Sequence, residues 1–397
     1  MEKLIQNVTR MDGRQADLLL RDGKVAEEAA AGTLAPVPQG EVVDGTGYLL
    51  LPPLVDAHAH LDKTVLGMDW FRNDLGPLLT DRIDHERESR RAIGLDPFVQ
   101  AGRLIERSLS MGTMAMRSHV DVDLVNGLEP LEGVLAAREQ YRDRFHVEVV
   151  AFPQSGLLVR PGTVALMDRA LALGADLVGG VDPAAIDRDP KGGVDAIFDL
   201  AERHGKGVDI HLHEPGDLGA FTMELIAART ETSGMQGRVT ISHALCLGGP
   251  NGALVASLVE KLARAGIAVT TGGQAYVPTV PSVKQLVGAG VNVCGGNDNI
   301  RDMWSPYGTG DMIERAQFIA MRNAFRRDDE LELALEVCTE HGAKLLGLKD
   351  YGVAVGGRAD FVLARARNTA ECVAARPADR LVFQAGEMIA RNGAYLG

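Results

Sequence analysis

Aromatic residues are scarce in this chain, 5% of the total, and there are four cysteines in 397 residues. Cys246, Cys294, Cys338 and Cys372 stand far apart and form no Cys-x-x-Cys pair. That spacing argues against a disulfide framework and a thiolate zinc site, and fits reduced thiols packed as small apolar residues. No apolar run is long enough to cross a bilayer. The N-terminal MEKLIQNVTR carries charged and polar residues where an export signal needs an apolar stretch, so a cytoplasmic protein is expected. Positive charge is short as well: 41 Lys and Arg stand against 54 Asp and Glu, for a formal net charge of −13. That balance opposes phosphate backbones, and no basic stretch with interleaved aromatic residues offsets it. Neither nucleic acid nor membrane is an expected partner. A glycine-rich phosphate loop is also missing after the first strong strand, which disfavours a doubly wound nucleotide-binding sheet.

What the chain does contain is Leu51 to Asp62, LPPLVDAHAHLD. A short apolar run ends in two histidines two residues apart, and the alternation of strand side chains turns His58 and His60 to one face. Paired imidazoles suit a divalent cation, with Asp56 and Asp62 near enough to orient them; two core histidines with ordinary hydrogen bonds fit this segment equally well. Downstream, strand-like runs at 113–119, 145–153, 175–181, 207–213, 238–243, 267–271 and 291–298 alternate with stretches of helical apolar spacing. With the first, they make eight strands, each followed by a helix, which predicts a (β/α)8 barrel over 51–349. Short strands and Gly turns at 1–50 and 350–397 predict a small β domain shared by both termini.

The polar residues fall at strand ends. His58 and His60 close strand one, His119 strand two, Gln154 follows strand three, His211 and His213 close strand five, His243 strand six and Asp298 strand eight. In such a barrel the C-terminal strand ends form the active site, so residues far apart in sequence converge on one pocket. His58, His60, His211 and Asp298 supply three imidazoles and a carboxylate for one divalent cation and leave room for a water, which ionises near neutral pH and can attack an electrophilic carbon. Hydrolysis follows from that set. Asp298 can also take a proton from the water, and His243 can hydrogen-bond the nucleophile and polarise the attacked centre. Glu214 can carry protons to a ring nitrogen and the leaving group, provided strand five has ended before it; otherwise it points away from His211. Lys63 can face the pocket and Trp304 can line its mouth, with loop exposure and plain packing as the alternatives. Asp182 fits either an oxygen ligand or a turn before Pro183. Strand four ends VGGVDP, without the lysine that bridges two metals in binuclear barrels, so a single metal is expected.

Taken in order, HAHLDK, RSHVDVD, AFPQSG, VGGVDPA, DIHLHE, TISHALC and GGNDNIRDMWSPYGTGDM resemble the amidohydrolase superfamily. Within it they are most similar to the branch holding cytosine deaminase and N-isopropylammelide amidohydrolase. The GRADFVL run is similar to the small β domain of that family. The resemblance implies a distorted (β/α)8 TIM barrel with a β-sandwich-like domain from both termini, one Zn2+ or Fe2+, and hydrolytic removal of an exocyclic amine from a nitrogen heterocycle. By the same resemblance His58, His60, His211 and Asp298 are the metal ligands, Gln154 pairs with the carbonyl/amide edge of the ring, Glu214 shuttles protons and His243 assists the attack. Asn299, His213, Lys63 and the segment around Trp304 are similar to the triazine enzyme, whereas Glu214 is similar to cytosine deaminase. Asparagine donates as well as accepts, so Asn299 meets a different substrate pattern than a second aspartate does. The expected activity is cytosine deaminase-like hydrolysis of an exocyclic C–N bond in a pyrimidine, triazine or related cyclic amidine. The alternatives are release of an alkylamine from an N-alkylammelide, opening of a cyclic amide within the ring, and a non-catalytic barrel scaffold. A homo-oligomer is expected by analogy of fold alone.

Overall fold

The computed structural model describes residues 2–35, 40–74, 76 and 78–397; the Pro-rich passage at 36–39 lies outside the described residues. All eight expected barrel strands form: β1 Leu54–Ala59, β2 Thr113–Asp121, β3 His146–Phe152, β4 Leu177–Val181, β5 Gly207–His211, β6 Val239–Ser242, β7 Ala268–Thr271 and β8 Val293–Gly295. They lie side by side in chain order. Parallel ladders join β3 through β8 in succession. The sheet nearly closes on itself, because Ala59 bridges Asp298 in parallel and the Asp298 amide donates to the His58 carbonyl at 2.7 Å. Gly296 makes this closure sterically feasible. A Cβ there would lie 2.5 Å from His58 Cβ and 2.8 Å from the His58 backbone nitrogen and oxygen.

β1 and β2 are buried along their whole lengths. Strands covered on both faces are screened from water along their length, and here that screening includes the polar residues of LVDAHA and TMAMRSHVD. The intervening helices begin and end on local signals. Helix Pro190–His204, for example, has Asp189 as N-cap accepting from the Gly192 amide, proline in its first turn, and Gly205 in the left-handed conformation at its end. Helix α1, Leu79–Ala92, differs: its buried residues are Ile83, Glu86 and Arg90. Two of those three are charged, so apolar periodicity does not announce this helix.

The chain divides into two compact units. One comprises Ala57–Leu104 and Met116–Thr309, and every candidate site residue belongs to it. The other comprises Met1–Asp56, Ile105–Ala115 and Gly310–Gly397, a larger share of the chain than 1–50 and 350–397. Its nine-stranded sheet draws on both termini: Phe361–Ala364 runs antiparallel to Leu49–Leu51, with Leu363 opposite Leu50. Ile5, Leu18, Leu20, Val25, Phe361 and Phe383 form its core. Among the described residues no helix is long and apolar enough to cross a membrane.

Candidate active site

The strand-end residues converge. Asp298 Oδ1 lies 3.4 Å from His58 Nε2 and 3.2 Å from His60 Nε2. Ligand atoms of His58, His211, His243 and Asp298 all fall within 4.8 Å of one another. His243 thus joins the cluster beside the four expected ligands. Among the described residues, both ring nitrogens of His211 and Nε2 of His243 are buried without a hydrogen-bond partner. Burial, helped by the neighbouring imidazoles, pushes the pKa of both rings well below 6.5 and keeps them neutral with lone pairs available. Buried polar atoms without partners are costly, and a divalent cation satisfies several such atoms at once. The donor set therefore fits the metal that the sequence implied.

A layer behind these rings fixes how they point. Ser242 Oγ donates its one proton to Asp209 Oδ1 at 2.6 Å, and it also meets Thr270 Oγ1 at 2.8 Å and His58 Nδ1 at 2.9 Å. His58 must then donate from Nδ1, which leaves Nε2 as the lone pair facing Asp298. His60 is fixed the same way by its Nδ1, 3.1 Å from the His119 carbonyl. Asp209 is also held by Arg117 at 2.9 Å and lies 3.3 Å from His119 Nε2. Burial drives the His119 pKa down to about 3. Asp209, Ser242 and Arg117 were missed from sequence. Asp209 was within reach, since it shares the strand face of His211 two residues on.

Asp182, His243 and Asp298 take positive φ values of 39°, 70° and 62°. Non-glycine residues seldom adopt this region, and where they do the strain concentrates at functional sites. Each of the three follows the end of a barrel strand.

A cavity of about 360 Å³ opens on this cluster, within the range of small-molecule sites. Gln154, His213, Asn299 and Trp304 all line it, together with Gln274, whose Nε2 donates to Asp298 Oδ2 at 3.1 Å. His213 Nδ1 lies 2.8 Å from Asp182 Oδ2. Burial opposes charge on this ring, but the Asp182 carboxylate outweighs it and raises the His213 pKa.

Two residues sit elsewhere than expected. β5 ends at His211, so Glu214 does escape strict alternation, yet its carboxylate turns from the cavity. Oε1 accepts from the Ala184 and Ala185 amides at 2.8 and 2.9 Å, and Oε2 accepts from the Thr222 hydroxyl. Lys63 is fully buried behind the cavity wall. Its Nζ donates to Gln154 Oε1 at 2.6 Å, to both oxygens of Asp121 at 2.9 and 3.0 Å and to Glu86 at 3.2 Å. Trp304 joins the same group by donating from Nε1 to Glu86. Asn299 Nδ2 donates to Asp302 Oδ2 at 2.7 Å.

Imidazoles and a carboxylate gathered at the C-terminal ends of a parallel barrel, beside a small-molecule-sized cavity, define a metal-dependent hydrolase. Residues 112–389 match the Amidohydrolase family, and the chain belongs to that family. It is 34% identical over 331 residues to N-isopropylammelide isopropyl amidohydrolase of Pseudomonas sp. (strain ADP), covering 81% of either chain. The structure of N-isopropylammelide isopropylaminohydrolase from Burkholderia multivorans ATCC 17616 is 47% identical, with a TM-score of 0.93 over the full length of both chains. That of 5-methylcytosine deaminase from Klebsiella pneumoniae with 5-fluorocytosine is 29% identical, with a TM-score of 0.84 over 98% of this chain and 97% of the other. The protein is accordingly a hydrolase of C–N bonds in cyclic compounds.

Proposed function

We propose that the protein replaces an exocyclic alkylamino group on a triazine-like or pyrimidine-like ring by oxygen. The observation that carries this is the cavity itself: one wall carries the imidazoles of His60, His211 and His243 with Asp298, and the facing walls present amides and an imidazole–carboxylate pair. His58, His60, His211 and Asp298 would hold one divalent cation, Zn2+ or Fe2+. When bound, the cation supplies a water nucleophile at neutral pH and Lewis acidity at the attacked carbon.

The chain's own residues then have distinct tasks. Asp298 accepts a proton from the attacking water, and the neutral His243 holds that water through Nε2. Lys63 has donors only, so Gln154 must turn Oε1 to it and offer Nε2 to a ring carbonyl. Asn299, donating from Nδ2 to Asp302, keeps Oδ1 to accept from a ring N–H. His213, held by Asp182, delivers the proton that the departing amine needs. This moves the proton carrier from Glu214 to His213, because both Glu214 oxygens already bind the loop after β4 and the helix Gly216–Thr232.

The leaving group follows the stronger likeness. Identity of 47% over the whole chain to an isopropylaminohydrolase supports an alkylamine, against 29% to a deaminase. Ammonia release from a cytosine-like ring is the second reading. Protein of known metal content, offered N-alkylammelides and cytosines, should release alkylamine and keep every ring nitrogen in the product. Ammonia from cytosines alone would establish the second reading, and a ring-opened product would overturn both.

A further inference from the structure

We propose that Arg82 selects substrates bearing an anionic oxygen on the ring edge that faces α1. This rests on the amine-hydrolase reading above and narrows its substrate class. Arg82 is the one arginine or lysine among the described residues that line the cavity. Its Nε is buried and has no hydrogen-bond partner among those residues. The other arginines of α1 are all engaged. Arg87 pairs with Asp123 at 3.0 Å, Arg90 with Asp62 at 2.9 Å and Asp121 at 3.1 Å, and Arg91 donates to the Val125 carbonyl at 2.8 Å.

Among the described residues this guanidinium faces the cavity with no carboxylate partner, in a chain of formal charge −13. A desolvated donor without an acceptor is unfavourable, and a ligand oxygen relieves it. The planar guanidinium matches paired or anionic oxygens better than a neutral amide. Lys63 cannot serve that purpose, since its ammonium is neutralised behind Gln154. Trp304, Tyr276 and Tyr307 on the same walls offer π faces to a flat ring held between Arg82 and the metal cluster. The anionic oxygen has two sources, a carboxylate substituent or the ionised oxygen of an acidic lactam.

The test is calorimetric binding to the metal-loaded protein of three rings that carry no exocyclic amine: orotate, barbiturate and neutral uracil. The wild type should bind at least one anionic ring roughly 10- to 100-fold more tightly than uracil. Arg82→Gln should abolish that contrast, and Arg82→Lys should keep part of it. Preference for orotate alone identifies a carboxylate, and preference for barbiturate alone a ring oxygen. Equal binding of all three rings by the wild type, or an undiminished contrast in a folded Arg82→Gln protein, would overturn the proposal. Should Arg82→Gln fail to fold, an undiminished contrast in Arg82→Met has the same force. Because no probe has a leaving group, the result stands apart from whether any amine is released.

Discussion

Lys63 Nζ lies 2.6 Å from Gln154 Oε1, so a buried ammonium dictates which end of a cavity-lining amide meets the substrate. An ammonium has only donors, and Gln154 is left to donate from Nε2. Gln154→Glu keeps an acceptor for Lys63 and removes the donor from the cavity. We expect kcat/KM to fall roughly 10- to 100-fold with little change in Tm. Steady-state kinetics and a thermal melt on the same preparation check this, and unchanged kcat/KM would show that the amide does not bind the ring.

The two neighbours His213 and Glu214 should separate cleanly. His213→Asn removes the cavity-facing proton donor, and kcat should drop by about 10²–10⁴ with metal content unaltered. Asp182→Asn should follow it in the same direction, since Asp182 holds the ring through the 2.8 Å contact. Glu214→Gln keeps an acceptor for the Ala184 and Ala185 amides, and its effect on kcat should stay under about tenfold, a contact change rather than loss of an acid. A loss of 10²-fold or more in Glu214→Gln, with His213→Asn near normal, would return the proton carrier to Glu214.

That pair also shows where the sequence was legible and where it was not. His58, His60 and His211 were readable as one-sided clusters because strand alternation is a strict rule and the ends of their strands are buried. The direction of Glu214 depends on where β5 stops and on amides from the loop after β4, which are non-local facts. Lys63 is buried, matching neither expectation, pocket or loop, because its partners Asp121, Glu86 and Gln154 lie 23 to 91 positions away in sequence. Helix α1, with Glu86 and Arg90 buried in place of apolar residues, has no hydrophobic stripe, so Arg82 went unnoticed.

Asp302 gives stability a specific pH dependence. Burial raises its pKa from 3.8 to about 7, although the Asn299 amide and the Lys63 charge pull the other way. A carboxyl raised on folding binds its proton more tightly in the folded chain. Its contribution is fully favourable below about pH 4 and fades as the pH rises to about 7. Over that interval this one group should lower stability by up to about 1.4 kcal/mol per pH unit. Asp302→Asn, which cannot ionise, should show a flatter stability profile between these limits. Denaturant titrations at stepped pH values check it, and parallel profiles for variant and wild type would sink the assignment.

Gly296 ties the barrel's closure to its metal cluster. Asp298 reaches the imidazoles only because the chain after β8 passes directly over His58, where the Asp298 amide donates to the His58 carbonyl at 2.7 Å. A methyl group at Gly296 would meet His58 Cβ at 2.5 Å and its backbone at 2.8 Å, so one of the two segments has to move. Gly296→Ala should destabilise the fold by roughly 1–3 kcal/mol, the range for overpacking a filled core. The displacement also carries His58 Nε2 away from Asp298 Oδ1, now 3.4 Å apart, so metal content should fall along with stability. Elemental analysis of the purified variant, beside a control substitution at Gly252, where the backbone is not left-handed and a Cβ meets nothing within 4 Å, separates the two effects. Full metal occupancy in a destabilised Gly296→Ala protein would mean that the closure supports the barrel without setting the geometry of the ligands.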